Sequence, residues 1–486
     1  MSDAPRHTLV FSDIHLTTAE PRDPSRPLWM RYKHRDLFVD DSIARMLAHF
    51  RDTVDERMEL VLNGDVFDFD AVTQQPAEDL GPLSWLERLR GLNASEPKST
   101  WKMRRILDDH PEFVEALRAW VEAGHDLVFV VGNHDLELHW PGVQLAVLDA
   151  VGSPERVRFC DFFYRSNGDT LIEHGNQYDT YCLCLDPLWP TIEVGDEALV
   201  RLPFGNYASR IIVNGVGFFN PHAESTWNMS FTGYVVFFYR YILRVAPLLP
   251  LTWIWTSIAT WILSMRDGIL PPRRDVLRLE ERVEEVAERA RATTRTVRGL
   301  IALRAHPAIL TPWRIAKELW LDRLFLFALL VIGSFQVLAT TNMVVGVSAW
   351  WWFVLLAILF PPFLFYARTV NTETDGMDRY VHRRIDLISG VAGVSRLVLG
   401  HSHDEMHTHY GSTEVLNPGT WSPAFLDPEC TEPDGRTCVV WIRPGPDGER
   451  VASVEIWTDP GLRPLPYRGD HPTPSVQLPS PANLLA

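Results

Sequence analysis

The chain has 486 residues, of which 46% are hydrophobic, and a formal net charge of -16 at pH 7. That length accommodates two or three domains, and the acidic balance excludes an extended nucleic-acid groove, because neutralising a phosphate backbone needs a basic surface. Its five cysteines, at 160, 182, 184, 430 and 438, match neither a zinc-knuckle spacing nor a disulfide framework and read as small buried residues of a reducing compartment.

Met1 runs almost directly into the apolar stretch 8–11, with no basic region, hydrophobic core and small-residue cleavage site in succession, so no secretory signal is expected. From residue 8 to about 180, short apolar runs alternate with helical spacing, the pattern of an α/β protein. Residues 8–11, 60–62, 127–131 and 170–173 are the expected strands, and 40–51 and 111–123 the expected helices. The strand pattern resumes at 394–399 and continues at 413–416, 437–442 and 451–457. Residues 1–184 and 394–459 thus form one split domain around a helical insertion, 185–393. Residues 460–486, rich in proline and poor in periodicity, read as a disordered or loosely docked tail.

The insertion carries the membrane signal. Residues 324–366 contain no charged side chain, enough for two spans of about 20 residues each, with Thr340, Thr341 and Asn342 as the turn of a hairpin over about 323–366. Arg314, Lys317 and Arg323 precede it and Arg368, Arg379, Arg383 and Arg384 follow it, so both ends are expected in the cytoplasm, with the catalytic domain on that side of the inner membrane. A second apolar region, 229–265, is interrupted by Arg240, Arg244, Pro247 and Pro250 and is either an interfacial segment or another hairpin; the interfacial reading is favoured. A charged amphipathic helix is expected over 275–304, and Trp350, Trp351 and Trp352 read as aromatics at a lipid boundary.

Five short motifs stand in order beside strand candidates: Asp13-Ile14-His15, Gly64-Asp65 with Asp68 beyond, Gly132-Asn133-His134-Asp135, His174-Gly175, and Gly400-His401-Ser402-His403. Each alone is weak. Together, at the carboxyl ends of strands, they are expected to converge on one crevice.

The set resembles the calcineurin-like metallophosphoesterase superfamily over residues 8–180 and 394–457. The phrases 11–16, 64–68 and 174–179 look most like its UDP-2,3-diacylglucosamine pyrophosphohydrolase-like branch, although those hydrolases carry Arg where this chain has His134. The resemblance implies two packed β-sheets flanked by helices and a dinuclear site in which Asp65 bridges. Asp13, His15 and His403 then hold one metal, and Asn133, His174 and His401 the other. Mixed imidazole, carboxylate and amide ligation suits Mn²⁺ first, with Fe or Zn²⁺ as alternatives. His134 is the expected general acid and Asp135 the group that orients it. His407 and His409 read as surface or supporting residues, and His139, His222 and His382 carry no functional expectation.

The expected activity is hydrolysis of a phosphate ester or pyrophosphate bond, with a lipid or nucleotide-linked glycolipid as substrate and the membrane as partner. Two alternatives stand beside it: a phosphoprotein or nucleotide phosphoesterase for which the hairpin is a simple anchor, and a non-catalytic membrane sensor or scaffold. A transporter is disfavoured, since the hairpin offers no intramembrane ionisable residue.

Overall fold

The computed structural model describes residues 6–217, 236, 239, 248–369, 380–433 and 435–472. In chain order its strands begin with β1 (His7–Phe11), β2 (Met58–Asn63), β3 (Asp126–Val130), β4 (Val157–Cys160), β5 (Phe163–Ser166) and β6 (Thr170–Glu173). The insertion adds a hairpin of β7 (Thr191–Val194) and β8 (Glu197–Val200). The rest are β9 (Arg396–Val398), β10 (Met406–Tyr410), β11 (Thr413–Asn417), β12 (Cys438–Pro444), β13 (Arg450–Trp457), β14 (Leu462–Pro464) and β15 (Asp470–His471).

The fold is mixed α/β. One seven-stranded sheet runs β14-β13-β12-β1-β2-β3-β4, and a six-stranded sheet runs β15-β10-β11-β9-β6-β5. Strands β1 to β4 are mutually parallel, as are β6, β9 and β11, so both sheets contain βαβ-type crossovers.

Side-chain alternation explains how the sheets stack. Val10, Val61, Val128 and Val130 of the first sheet meet Ile172, Val398 and Leu416 of the second in one buried cluster. Their strand neighbours Leu9, Phe11, Leu60, Leu62 and Phe129 point the other way, onto the helices Asp40–Thr53 and Pro111–Glu122. On the far side, Leu171, Leu397 and Val415 pack against the helices Leu279–Arg289, Thr294–Ala302 and Ile385–Ala392. Two sheets therefore lie face to face between helical layers, and residues from 1–184 and 394–459 share all three of these core clusters.

Several sequence expectations shift. The helix expected over 275–304 is two helices, broken where Arg291 adopts a left-handed φ of 52° and Thr293 Oγ1 accepts from Thr296 N to start a new one. The insertion is not wholly helical, since β7 and β8 lie within it. The tail is docked as far as residue 472, because β14 pairs with β13 and β15 with β10.

Two helices, Leu321–Val345 and Trp350–Thr369, are long and apolar enough to cross a membrane, and almost none of their surface is buried. Thr340 and Thr341 do not form the turn. Their hydroxyls bond the carbonyls of Gln336 and Val337 one turn back, at 2.9 and 2.8 Å, so the polar side chains are satisfied inside the helix. The chain reverses after Gly346, at φ 61°, where Asn342 Oδ1 accepts from Val347 N at 2.7 Å. Tyr366 OH donates to Asp322 Oδ2 at 2.7 Å and Trp352 Nε1 to Ser334 Oγ at 2.9 Å, tying the helices together near both ends. Of the second apolar region, residues 248–265 belong to the helix Leu249–Ile269, and residues 229–247, apart from 236 and 239, lie outside the described residues.

Candidate metal centre

All five motifs follow the carboxyl ends of parallel strands. Asp13 and His15 follow β1, Asp65 follows β2, Asn133 and His134 follow β3, His174 follows β6, and His401 and His403 follow β9. The seven-stranded sheet supplies the first three loops and the six-stranded sheet the others, so the site sits at the shared end of the sandwich.

The backbone there is unusual. Asp13, His15, Asp65, His401 and His403 all hold φ between 50° and 68°, a region that costs a side-chain-bearing residue about 1–3 kcal/mol. Surrounding bonds fix it: Asp13 N donates to Gly64 O at 3.1 Å, His15 N to Asp65 O at 2.9 Å, and Gly400 N to His174 O at 2.8 Å. Gly64, at φ 79°, has no alternative, because a Cβ there would lie 2.4 Å from His174 Cγ.

These turns bring the side chains within ligand distance of one another. Asp13, His15 and His403 offer donor atoms within 4.8 Å of one another, and so do Asp65, His174 and His401. His403 Nε2 lies 3.2 Å from Asp13 Oδ1, and His174 Nε2 3.2 Å from Asp65 Oδ2. Asp65 also stands within reach of His15, at 4.0 Å, and so faces both groups. Each group can hold a metal ion.

Polar atoms without an aligned partner line the crevice. Asp13 Oδ1, Asn133 Oδ1 and His174 Nε2 are buried with no aligned hydrogen-bond partner. Such atoms cost about 1–3 kcal/mol each unless something fills the gap, and a divalent cation is the filler that this donor set fits. Burial opposes charge on Asp65, but His174 and His134 more than offset it and hold the carboxyl well below its usual range.

His134 joins the crevice rim, its ring 5.0 Å from that of His15. The residue expected to orient it does something else. Asp135 accepts from the backbone N–H groups of Gly132, at 2.6 Å, and Val66, at 2.9 Å, and so shapes the turns that carry Asn133 and Asp65. The imidazole is held instead by Asp68, whose Oδ1 lies 3.3 Å from Nδ1, and by Asp70, whose Oδ2 lies 3.6 Å away. Burial would lower the His134 pKa, but Asp68, Asp65 and Asp70 raise it to about 10.

Asp70 is in turn held by the insertion. Asn206 Nδ2 donates to Asp70 Oδ2 at 2.6 Å and to the Asn133 carbonyl at 2.7 Å, and Asn214 Nδ2 donates to Asp70 O at 2.8 Å. No local pattern marks Asn206, which lies far along the chain in a different segment. Asp70 stands two residues beyond Asp68, and nothing in the local sequence distinguishes it from other carboxylates. Asp179 is a second unforeseen partner, its Oδ2 3.0 Å from His401 Nε2, where it can fix the ring of a ligand. His407 Nε2 pairs with Glu414 at 2.9 Å and His409 Nδ1 with Tyr467 at 2.8 Å, both in supporting positions. All five cysteines are free thiols. No protein-family model matches the chain, and no curated protein matches it.

Proposed function

We propose that the chain is a membrane-anchored, dinuclear phosphoesterase of the calcineurin-like metallophosphoesterase kind. In this reading it hydrolyses a phosphate ester or pyrophosphate bond of a lipid-linked substrate, such as a nucleotide-linked glycolipid. One observation carries the reading: residues from separated motifs form two donor groups around the shared carboxylate Asp65. The face-to-face sheets between helices are what that family leads one to expect, and so support it.

Asp13, His15 and His403 would hold one divalent cation and Asn133, His174 and His401 the other, with Asp65 between them. Bound there, two such ions, Mn²⁺ first and Fe or Zn²⁺ otherwise, supply Lewis-acid polarisation of the phosphoryl oxygens and acidify water. His134 carries a proton to the departing oxygen. Its Nδ1 is turned to Asp68 and Asp70, which leaves Nε2 to face substrate. Asn206 keeps Asp70 in place and couples that histidine to the insertion. In this reading the ends of the hairpin, and with them the catalytic domain, lie on the cytoplasmic side, which the basic residues flanking the hairpin support.

The test is phosphate or phosphomonoester release by the full-length protein in mild detergent, with UDP-diacylglucosamine, phospholipid phosphates and a soluble chromogenic diester as substrates. Mn²⁺-dependent cleavage of a lipid substrate that is lost in His134→Ala supports the reading. Cleavage of the soluble diester alone removes the lipid from it, and no cleavage of any substrate by metal-loaded protein overturns it.

A further inference from the structure

The helix Leu249–Ile269 has its faces reversed. Leu251, Ile258, Ile262 and Ile269, spaced seven, four and seven residues apart, form one stripe and are 64, 41, 52 and 79% exposed. Trp255 lies on the same face. The opposite face carries Thr256, Ser257, Thr260 and Ser264, all fully buried, and Asp267, 1% exposed. A surface helix in water buries its apolar stripe and exposes its polar one. Here small hydroxyl residues face protein and large aliphatic ones face outward, the arrangement that suits helices whose outer surroundings are hydrocarbon.

This helix lies along the catalytic domain. Leu249 packs on Val216, Ala259 and Leu263 lie against the main core, and Tyr207 OH donates to Asp267. The stripe continues onto that domain's own surface. The Trp85 ring lies tilted against that of Trp255 at 5.7 Å, the Arg90 guanidinium sits 5.1 Å from the Trp255 ring centroid, and Trp85 and Leu89, one helical turn apart, are both exposed. The helix is also packed against the base of the apolar hairpin: Trp261 Nε1 donates at 2.8 Å to Pro312 O, at the start of the helix Pro312–Glu318 that leads into Leu321–Val345, and Trp261 and Leu321 pack on one buried cluster.

We infer that the outer face of the helix Leu249–Ile269, with Trp85 and Leu89, is a bilayer-docking surface. The helix lies in the plane of the membrane with its aliphatic stripe among the acyl chains. Trp85, Trp255 and Arg90 sit at headgroup level, where amphipathic rings and guanidinium groups gather. The occupant is lipid rather than a second copy of the chain, because the helix adjoins two exposed helices that are apolar and long enough to span. The catalytic domain is then clamped to the bilayer by its own surface as well as by the hairpin. The residue that couples the insertion to the crevice, Asn206, belongs to the short helix Phe204–Tyr207, whose Tyr207 bonds the docking helix.

This inference rests on the membrane reading of the hairpin and not on the phosphoesterase reading, and the test separates them. Full-length protein is reconstituted in phosphatidylethanolamine–phosphatidylglycerol vesicles containing an apolar carbene-generating photoreagent, and labelled residues are mapped by mass spectrometry. The helix Pro141–Val151, with Leu145 exposed but far from this surface in the chain, serves as the aqueous control. Labelling of Leu251, Ile258 and Ile262 is expected to exceed that of Leu145 by ~10-fold, as an interfacially buried face requires, with Thr260 and Ser264 unlabelled. Label on 321–345 and 350–369 but not on 249–269 overturns the docking surface alone. Label on none of them overturns the hairpin as well.

Discussion

Replacing Asn206 by alanine tests the link between insertion and crevice. Asn206 is fully buried, and its amide donates to the Asp70 carboxylate at 2.6 Å and to the Asn133 carbonyl at 2.7 Å. A hydrogen bond to a charged group contributes about 1.5–3 kcal/mol and one to a neutral carbonyl about 0.5–1.5 kcal/mol, so Asn206→Ala should cost about 2–4.5 kcal/mol. Part of that loss falls on Asp70, which then no longer fixes His134, and part on the loop that carries Asn133. If about 1.4 kcal/mol of it reaches the transition state, kcat falls ~10-fold with KM little changed. The assay is phosphate release at saturating Mn²⁺ by full-length protein in detergent, with thermal unfolding measured in parallel. In a His134→Ala background the same substitution should cost less activity, because the part of its effect that passes through His134 is already lost and only the part that falls on the Asn133 loop remains. An unchanged rate and melting temperature, or an equal loss in both backgrounds, would refute this coupling.

Other perturbations have equally definite outcomes. Lys102 Nζ and Glu137 Oε1 form a fully buried pair at 2.6 Å, so Lys102→Met should destabilise by about 3–5 kcal/mol in thermal melts, while Lys102→Met/Glu137→Leu recovers most of that loss. A Cβ at Gly132 would stand 2.3 Å from Asp65 Oδ1 and 2.6 Å from Asp65 N, so Gly132→Ala should abolish stoichiometric metal binding, measured by elemental analysis. Glu87 resists ionisation through burial, but Lys98 and the backbone and hydroxyl of Ser84 outweigh that and lower its pKa from 4.5 to about 2. A depressed carboxyl stabilises the fold in full above its unfolded pKa and loses that contribution as pH falls through its folded one. Glu87→Gln should therefore lower stability by about 1–3 kcal/mol at neutral pH, and the gap from wild type should close between about pH 4.5 and 2. A constant gap across that range would count against the reading.

The parallel strands were legible because each is a short apolar run with both faces buried, as Met58–Asn63 and Asp126–Val130 are. Four of the five motif loops were legible because glycine stands next to a ligand, as Gly64, Gly132, Gly175 and Gly400 do, and the fifth by its Asp13-Ile14-His15 pattern directly after a strand. What stayed hidden has local chemistry that contradicts its place in the fold. Met406–Tyr410 is rich in histidine and threonine and becomes a strand only because its backbone pairs with Thr413–Asn417. The helix Glu96–Asp109 carries Lys98 and Lys102 on its buried side, each neutralised by a glutamate from elsewhere, so its inward face reads as polar. The threonines taken for a turn bond within their own helix. Around the site, ligand types were readable, but the holders of His134 were not: Asp135 turned to the backbone, Asp68 and Asp70 from a different loop took its place, and Asn206 reaches Asp70 from within the insertion.

A dinuclear site depends most directly on Asp65 facing two donor groups at once. Metal-stripped full-length protein should be titrated with Mn²⁺ and the bound metal counted per chain, beside Asp65→Ala. The account predicts two ions per chain in the wild type and loss of paired binding in the variant. Wild-type protein that takes up no stoichiometric metal, or a variant that still binds two ions as tightly, would contradict it.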